Sequence, residues 1–393
     1  MAVLGILAVN IASFSGAPSA SYSPDLPTPG TEPDHWAFLT VLVLFEGKMR
    51  ALFSMLFGAS MLLFIDRADA RGRRGESLQF RRLAWLALFG LLHFLLIWQW
   101  DILFLYAVVG FLALPLRHLS TRSLAIAALL VFASWQAWGL SQWQPALSAE
   151  AAVSSGTAST AQRSQHAQAV ANYRTDDKNE LAALRQGWSG LVATKWHERL
   201  VMPLIAVVFV SGETLPYMLL GMALFQSGFF IGDWPGSRIR ALAIGGIAGG
   251  GLITAGFAVW SASSHFPEIA MRFSIGYGLG FAHLAMALGY AAALMLFAPP
   301  LLRTALGQRL AAAGQVAFSN YIGTSLIMTA IFYGWGFGLI GRFGTAAQAG
   351  FVVMAWALML AWSPWWLRRF RQGPLEWLWR SLTDARLRSS TAR

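Results

Sequence analysis

Apolar runs of membrane-crossing length, separated by short clusters of arginine, recur from one end of this chain to the other. A segment in lipid must satisfy its own backbone hydrogen bonds, and ~20 consecutive apolar residues do so as a helix. Composition agrees: 12% of residues are charged and the mean hydropathy is +0.53, where a soluble domain carries about 25% charged residues. The 18 Trp and 27 Phe fit a protein with aromatic belts at two interfaces. The expected fold class is all-α, a polytopic transmembrane bundle of about ten spans with both termini cytoplasmic.

The net charge of +11 does not point to nucleic acid. The basic residues form no patch but sit in short clusters between apolar runs, which is the positive-inside pattern. With no cysteine, disulfides, thiolate metal sites and a Cys nucleophile are excluded. HExxH, GxSxG, Walker and CxxC patterns are missing, and no metal site is legible.

In chain order, residues 1–140 hold spans 1–5. Span 1, Met1–Phe14, is short of the ~20 residues a span needs. It lacks a basic leader and a small-x-small cleavage site, which argues against a removable signal peptide. Either it starts upstream of Met1 or the helix is abbreviated. Ser15–Asp34, with five prolines, reads as an outer loop. Span 2, Trp36–Ile65, is interrupted at Glu46-Gly47-Lys48, a broken or re-entrant start. Asp66–Arg82, with six arginines, is the clearest cytoplasmic loop. Leu83–Trp98, Ile102–Leu116 and Ser123–Leu140 follow as spans 3–5.

Residues 141–198 are too polar to cross and read as an extracytoplasmic loop with amphipathic helical pieces. Residues 199–366 hold spans 6–10. Span 6, Leu200–Phe230, is interrupted at Ser211-Gly212-Glu213 and Pro216. Gly249-Gly250-Gly251 in span 7 marks close helix packing; no preceding strand and no following Lys-Ser/Thr support a nucleotide loop. Phe273–Ala298, Val316–Ile340 and Ala346–Trp366 complete the spans. The basic, Trp-rich tail, 367–393, suits an amphipathic helix on the inner leaflet, or a partner-binding helix.

The stretch Phe45–Gly58, FEGKMRALFSMLFG, puts Glu46, Lys48 and Arg50 at the mouth of span 2. A charge at helix centre costs ~2.5–3.5 kcal/mol on insertion scales, so these groups need interior pairing, a polar cavity or the headgroup region. At ~1.5 Å per residue, His93 lies about 16 Å past Arg82. Asp101 caps the turn that follows, Tyr106 lies one turn into span 4, and Glu213 sits in the outer or middle part of span 6. All seven groups therefore belong to one half of the membrane. His93 suits a general base, oriented by Asp101 or Glu46; these three form the candidate catalytic set. Lys48 and Arg50 suit binding of a phosphate, carboxylate or oxyanion, with Tyr106 and Glu213 completing a substrate-binding set. The competing reading makes Glu46, Lys48, Arg50 and Asp101 salt bridges that pin helices. Asn320 and Tyr321, near the cytoplasmic end of span 9, line an inner vestibule for a cytosolic donor, or Asn320 makes interhelical hydrogen bonds; Asn10 in span 1 carries the same two readings. His283 in span 8 is expected in a helix–helix hydrogen bond, with a second polar site as the alternative.

Several stretches together carry a resemblance: LGILAVNIASF, FEGKMRALFSMLFGASMLLF, RRLAWLALFGLLHFLLIWQWDILFLYAVVG, LLGMALFQSGFF, and SNYIGTSLIMTAIFYGWGFGLIGRFG with WSPWWLRRFRQGPLEWLWRSLT. With these the chain resembles the YeiB family of bacterial inner-membrane proteins. That family is similar in organisation to transmembrane acyltransferases such as the lysosomal heparan glucosaminide acetyltransferase. The resemblance implies acyl-CoA as cytosolic co-substrate, a small-molecule, glycan or lipid acceptor on the far side, and a membrane-embedded histidine between them. His93 fits that histidine by location.

Three functional classes are therefore carried forward. The first is an inner-membrane acyltransferase; the second is a transporter or lipid-handling permease with a midplane polar site. The third is a non-catalytic scaffold that uses the 141–198 loop and the tail. Membrane lipids and a second copy of the chain are the expected macromolecular neighbours.

Overall fold

The computed structural model describes residues 2–386, and helices build it throughout. They are α1 (Ala2–Ser15), α2 (Glu32–Leu44), α3 (Lys48–Asp69), α4 (Gly75–Leu96), α5 (Leu103–Ala113), α6 (Thr121–Ser154), α7 (Thr160–Leu184) and α8 (Trp188–Glu198). Then follow α9 (Met202–Gln226), α10 (Gly236–Ser263), α11 (Glu268–Phe273), α12 (Gly280–Leu302), α13 (Ala305–Gln315), α14 (Ala317–Phe332), α15 (Thr345–Leu367) and α16 (Pro374–Asp384). Seven segments are long and apolar enough to cross a bilayer, α2 and α3 counting as one; Ala2–Ser15, Leu103–His118 and Ala317–Phe332 are apolar but shorter. The chain is a helical membrane protein.

The bundle is centred on α3, which packs on α9 and also meets α1, α4 and α12. Small residues set the α3–α9 crossing. A Cβ on Gly58 would lie 2.1 Å from the Met218 carbonyl oxygen, and one on Gly221 would lie 1.9 Å from that of Met55. Backbone therefore touches backbone at both points. The expected packing at the glycine cluster is also present, but with a different register. Gly246 and Gly250, one turn apart, meet α12 at the carbonyls of Ala285 and Ala282, while Gly249 faces open space.

Several expected boundaries move. Span 6 is not interrupted: α9 runs unbroken through Gly212, Glu213 and Pro216. Buried surroundings supply the reason, since Glu213 is paired inside the bundle and neighbouring helices shield the turn freed by the proline. α6 does not stop at Leu140 but continues as one 34-residue helix past Pro145. At ~1.5 Å per residue this exceeds a ~30 Å hydrocarbon layer, so its end projects beyond it. Span 9 shrinks to the 16 residues of α14.

The projecting end of α6 joins α7 and α8 as a helical cap over one face. Buried carboxylates hold it there: Asp177 accepts from Ser19 N (3.0 Å) and Ser19 Oγ (2.6 Å). Glu150 accepts from Ile269 N and Ala270 N at the start of α11 (2.9 and 2.8 Å). On the opposite face, α16 is docked rather than lying free. Glu376 accepts from Phe318 N (2.7 Å) and Ser319 N (3.0 Å), capping α14. Trp379 Nε1 donates to the Arg82 carbonyl (2.8 Å), and the Arg82 guanidinium lies 4.3 Å over the Trp379 ring. Residues 387–393 of the tail lie outside the described residues.

Candidate functional site

The break between α2 and α3 follows from its residues. Gly47 adopts φ +71°, a conformation that costs glycine little. Glu46 N turns back to the Val41 carbonyl, and Glu46 Oε1 accepts from Gly47 N (3.1 Å). The Lys48 ammonium donates to the Leu42 carbonyl at 2.6 Å and is fully buried. A cation thus sits on the C-terminal carbonyls of α2, where the helix dipole favours it. This corrects the expected substrate-binding role of Lys48: its charge is spent on closing a helix end, and it faces no cavity.

Arg50, two residues later, does face a cavity. Its Nη2 lies 2.9 Å from Glu213 Oε2, while Glu213 Oε1 accepts from Tyr217 Oη (3.0 Å). Glu213 is buried and lines neither of the two cavities described below, and it holds Arg50 from the side. Arg50 Nε is buried without a partner. The pairing reading of Arg50 therefore holds on Nη2 and leaves Nε without a partner.

His93 and Asp101 form a dyad. His93 Nδ1 and Asp101 Oδ1 are 2.8 Å apart, both side chains nearly fully buried. Asp101 Oδ2 accepts from Phe104 N (2.8 Å), so the carboxylate also closes the first turn of α5. Gly90, one turn before His93, makes room for this: a Cβ there would lie 2.3 Å from Phe104 N and 2.8 Å from Asp101 Oδ2. A carboxylate takes an N–H, so the neutral ring carries its proton on Nδ1 and presents a lone pair at Nε2. Nε2 is buried and has no partner. The ring is enclosed by Tyr321 and Trp98, at centroid distances of 5.2 and 6.2 Å.

Two cavities approach this dyad from opposite faces. The cap-side cavity, about 450 Å³, is lined by Glu46, Arg50, Asp101, Ile102, Tyr106 and, nearer the rim, Glu180. The tail-side cavity, about 400 Å³, is lined by Ile102, Tyr106 and Tyr321, with Arg82, Trp379 and Arg380 toward the tail. Ile102 and Tyr106 belong to both walls and form the partition. Tyr106 is fixed by a 2.7 Å hydrogen bond with Ser54 Oγ and by edge-on contacts with Phe53 and Phe57. Beside the partition, a void of about 20 Å³ is lined by Asn10 and Tyr321.

The structure therefore gathers Glu46, Arg50, Asp101 and Tyr106 on one cavity, attaches His93 through Asp101 and Glu213 through Arg50, and puts Tyr321 on the other cavity. Asn320 is corrected, because its amide is consumed between helices. Nδ2 donates to the Ala313 carbonyl (3.0 Å) and Ser363 Oγ (3.2 Å), and Oδ1 accepts from Trp362 Nε1 (2.7 Å). His283 is corrected as well. Neither ring nitrogen has a partner, and the ring packs against Gly47, whose Cβ would come 2.0 Å from Nδ1.

Sequence reasoning missed the rim groups. Arg199 Nη1 donates to Gln99 Oε1 and Glu180 Oε2 (2.7 Å each), and Gln99 Nε2 donates to Glu180 Oε1. Nearby in the cap, Lys195 is fully buried with Nζ unpartnered. Burial pushes its pKa down to about 7, Glu180 opposing and Arg199 adding to the shift. Arg82, Trp379 and Arg380 on the tail side were legible only as parts of a basic loop and tail.

Known proteins match over nearly the full length. The chain is 31% identical to the uncharacterized protein YxaH of Bacillus subtilis (strain 168), over 98% of this chain and 92% of that one. It is 28% identical to the uncharacterized protein YeiB of Escherichia coli (strain K12), covering 98% and 94% of the two. The chain belongs to the YeiB family. The profile of the protein of unknown function (DUF418) family matches residues 224–386. That YeiB-family segment carries α14, α16 and Tyr321, and the His93–Asp101 dyad lies before it. A 39.9 kDa protein of Bacillus acidopullulyticus, uncharacterized and named for its position in the amylase 3' region, is 23% identical over 97% of this chain and 90% of its own. No solved structure matches the chain significantly.

Proposed function

We propose that this YeiB-family chain is a bacterial inner-membrane acyltransferase, moving an acyl group from cytosolic acyl-CoA to an acceptor on the extracytoplasmic side. The observation that carries the reading is the pair of cavities meeting end to end at a partition beside a buried His–Asp dyad. The arginine-rich 66–82 loop and the docked tail assign the tail side to the cytoplasm by the positive-inside rule. With the three shorter apolar helices taken as spans beside the seven long ones, this reading has ten spans and both termini inside.

In this reading, acyl-CoA enters the tail-side cavity with its phosphates near Arg82 and Arg380 and its thioester toward Tyr106 and Tyr321. The acceptor occupies the cap-side cavity against Glu46 and Arg50. His93 Nε2 takes the proton from the acceptor hydroxyl or amine as that atom attacks the thioester carbonyl. The C–S bond breaks, and the proton passes from His93 to the departing CoA thiolate. Asp101 holds the ring in the tautomer this needs. His93 is only 2% exposed, so ligand binding displaces the Tyr321 ring that covers it.

The test is acyl-CoA binding and hydrolysis by purified protein, wild type against His93→Ala. General base catalysis contributes roughly 10²–10⁴-fold, and the variant is expected to lose about that much while still binding. Unchanged hydrolysis in a folded variant sinks the role of His93. A transporter is the second reading, favoured by the helix break at Gly47 beside the cap-side cavity, with a second cavity approaching from the opposite face. It predicts counterflow of a labelled solute in proteoliposomes without covalent change, and no acyl-CoA binding.

A further inference from the structure

A third cavity, about 420 Å³, runs along the side of the bundle between α1, α2 and α15. Its walls are Ala8, Val41, Phe45, Val352 and Trp356, with Glu46 at one end. Trp356 is fixed as its floor by a 2.9 Å hydrogen bond from Nε1 to the Leu4 carbonyl. Along its edge, Leu44 and Val353 are 45% and 60% exposed, facing where lipid lies. The groove borders the cap-side cavity, and Val9, Ser21, Glu46 and Ile275 form the wall they share. An apolar groove facing the bilayer thus ends at Glu46, on the wall of a cavity that Arg50 also lines, and Arg50 Nε is buried without a partner.

We propose that the acceptor reaches the site through this groove as a phosphate-headed lipid. Its hydrocarbon chain lies along Val41, Val352 and Trp356, its phosphate takes Arg50 Nε, and a head-group hydroxyl meets Glu46. Two features argue for an amphiphile over a soluble acceptor. A wholly soluble molecule has no use for an apolar groove opening sideways, and a bare hydrocarbon has none for a buried guanidinium N–H. Glu213 holds the other side of that guanidinium, so the fork is already oriented before a ligand arrives. The inference rests on the acyltransferase reading for the word acceptor, but the lipid site itself is testable without acyl donor.

The experiment uses the full chain in phosphatidylcholine nanodiscs, with a trace of phosphatidic acid bearing a photoreactive diazirine on its acyl chain. Labelled peptides are expected to concentrate in residues 8–12, 37–45 and 349–356, over equally lipid-exposed α10 positions such as Leu252 and Val259. Arg50→Gln is expected to cut that labelling about ten-fold, the loss of one charge-assisted hydrogen bond. Val41→Trp, which fills the groove and disturbs no ion pair, is expected to abolish it. Labelling spread evenly over groove and α10, or indifferent to both substitutions, overturns the proposal. Acyl-CoA hydrolysis in the same nanodiscs separates the two claims. Even labelling with intact His93-dependent hydrolysis removes the lipid and keeps the acyltransferase. Groove-specific labelling without acyl-CoA binding supports the lipid site and removes acyl transfer.

Discussion

Asp101→Asn is the most informative single change, because it leaves the shape of the site intact and alters only where one proton sits. Asp101 now does two things, accepting from His93 Nδ1 and from Phe104 N, both at 2.8 Å. An asparagine side chain has one acceptor oxygen and one donor amide. Phe104 N claims the oxygen, since leaving a helix-start N–H unpaired costs about 1 kcal/mol. The amide then faces His93 and donates to Nδ1, which drives the ring proton to Nε2. The lone pair needed for base catalysis is gone, while packing and hydrogen-bond count are kept. The equivalent change in a serine protease triad lowers turnover about 10⁴-fold, and a loss of that order is expected here in acyl-CoA hydrolysis. Thermal unfolding in detergent is expected to shift modestly, because two charge-assisted hydrogen bonds become neutral ones, a difference of about 2 kcal/mol. Wild-type hydrolysis by a folded Asp101→Asn protein would falsify the dyad mechanism, since no other carboxylate lies within hydrogen-bond distance of His93 among the described residues.

Four further outcomes follow from the same geometry. Lys48→Met strands the Leu42 carbonyl in apolar surroundings, costing about 1–3 kcal/mol; melting temperature falls while hydrolysis per folded molecule holds, and the reverse pattern would return Lys48 to the chemistry. Gly47→Ala forces a left-handed backbone on alanine and drives its Cβ to 2.0 Å from His283 Nδ1, so folded yield collapses; adding His283→Ala relieves the clash but not the backbone, giving partial recovery measured by size-exclusion chromatography. Glu376→Ala removes the cap on α14, worth about 0.5–2 kcal/mol, and frees the tail; trypsin is expected to cut at Arg380 faster than in wild type. Lys195 titrates at about 7 in the fold against 10.5 unfolded, so between those values the unfolded chain binds the extra proton and stability rises with pH. Below about pH 7 the fold carries the full penalty of a buried ammonium, and Lys195→Met is expected to raise the melting temperature there and flatten the slope.

The sequence made the bundle legible because lipid leaves so few options, and apolar length plus arginine position decide most of it. The Glu46-Gly47-Lys48 break was readable too, since charge and glycine coincide at a span mouth. Which charge does what was not readable. Lys48 and Arg50 lie two residues apart and so point to different sides of α3. One meets the end of α2 and the other meets a cavity. Asn320 stayed open between two roles for a related reason: its partners Trp362 and Ser363 come from a helix some forty residues on, and no local pattern announces them. The continuity of α9 through Pro216 was hidden similarly, because neighbours rather than the proline decide whether a buried turn survives.

The short helices give the final step of the argument. α1, α5 and α14 have 14, 11 and 16 residues, and at ~1.5 Å per residue none reaches across a ~30 Å hydrocarbon layer. Short apolar helices are a cost to a membrane protein, because the backbone at their ends must be covered by protein or water. Here α1 and α5 line both cavities, with Val9, Asn10 and Tyr106 on the cap side and Val3, Ile6 and Tyr106 on the tail side, and α14 adds Phe318 and Tyr321 to the tail side. Their shortness lets aqueous space approach from each face until a single layer of side chains remains between. Asp101 covers the start of α5 and Glu376 covers the start of α14, so the groups that cover two of these ends also form part of the cavity walls. A helix of ordinary length at any of the three positions would thicken the partition by several ångströms and separate a thioester from its acceptor. Restoring length is thus a test of the whole arrangement: inserting one helical turn into α5 after Tyr106 should leave a folded protein that still binds acyl-CoA and no longer transfers.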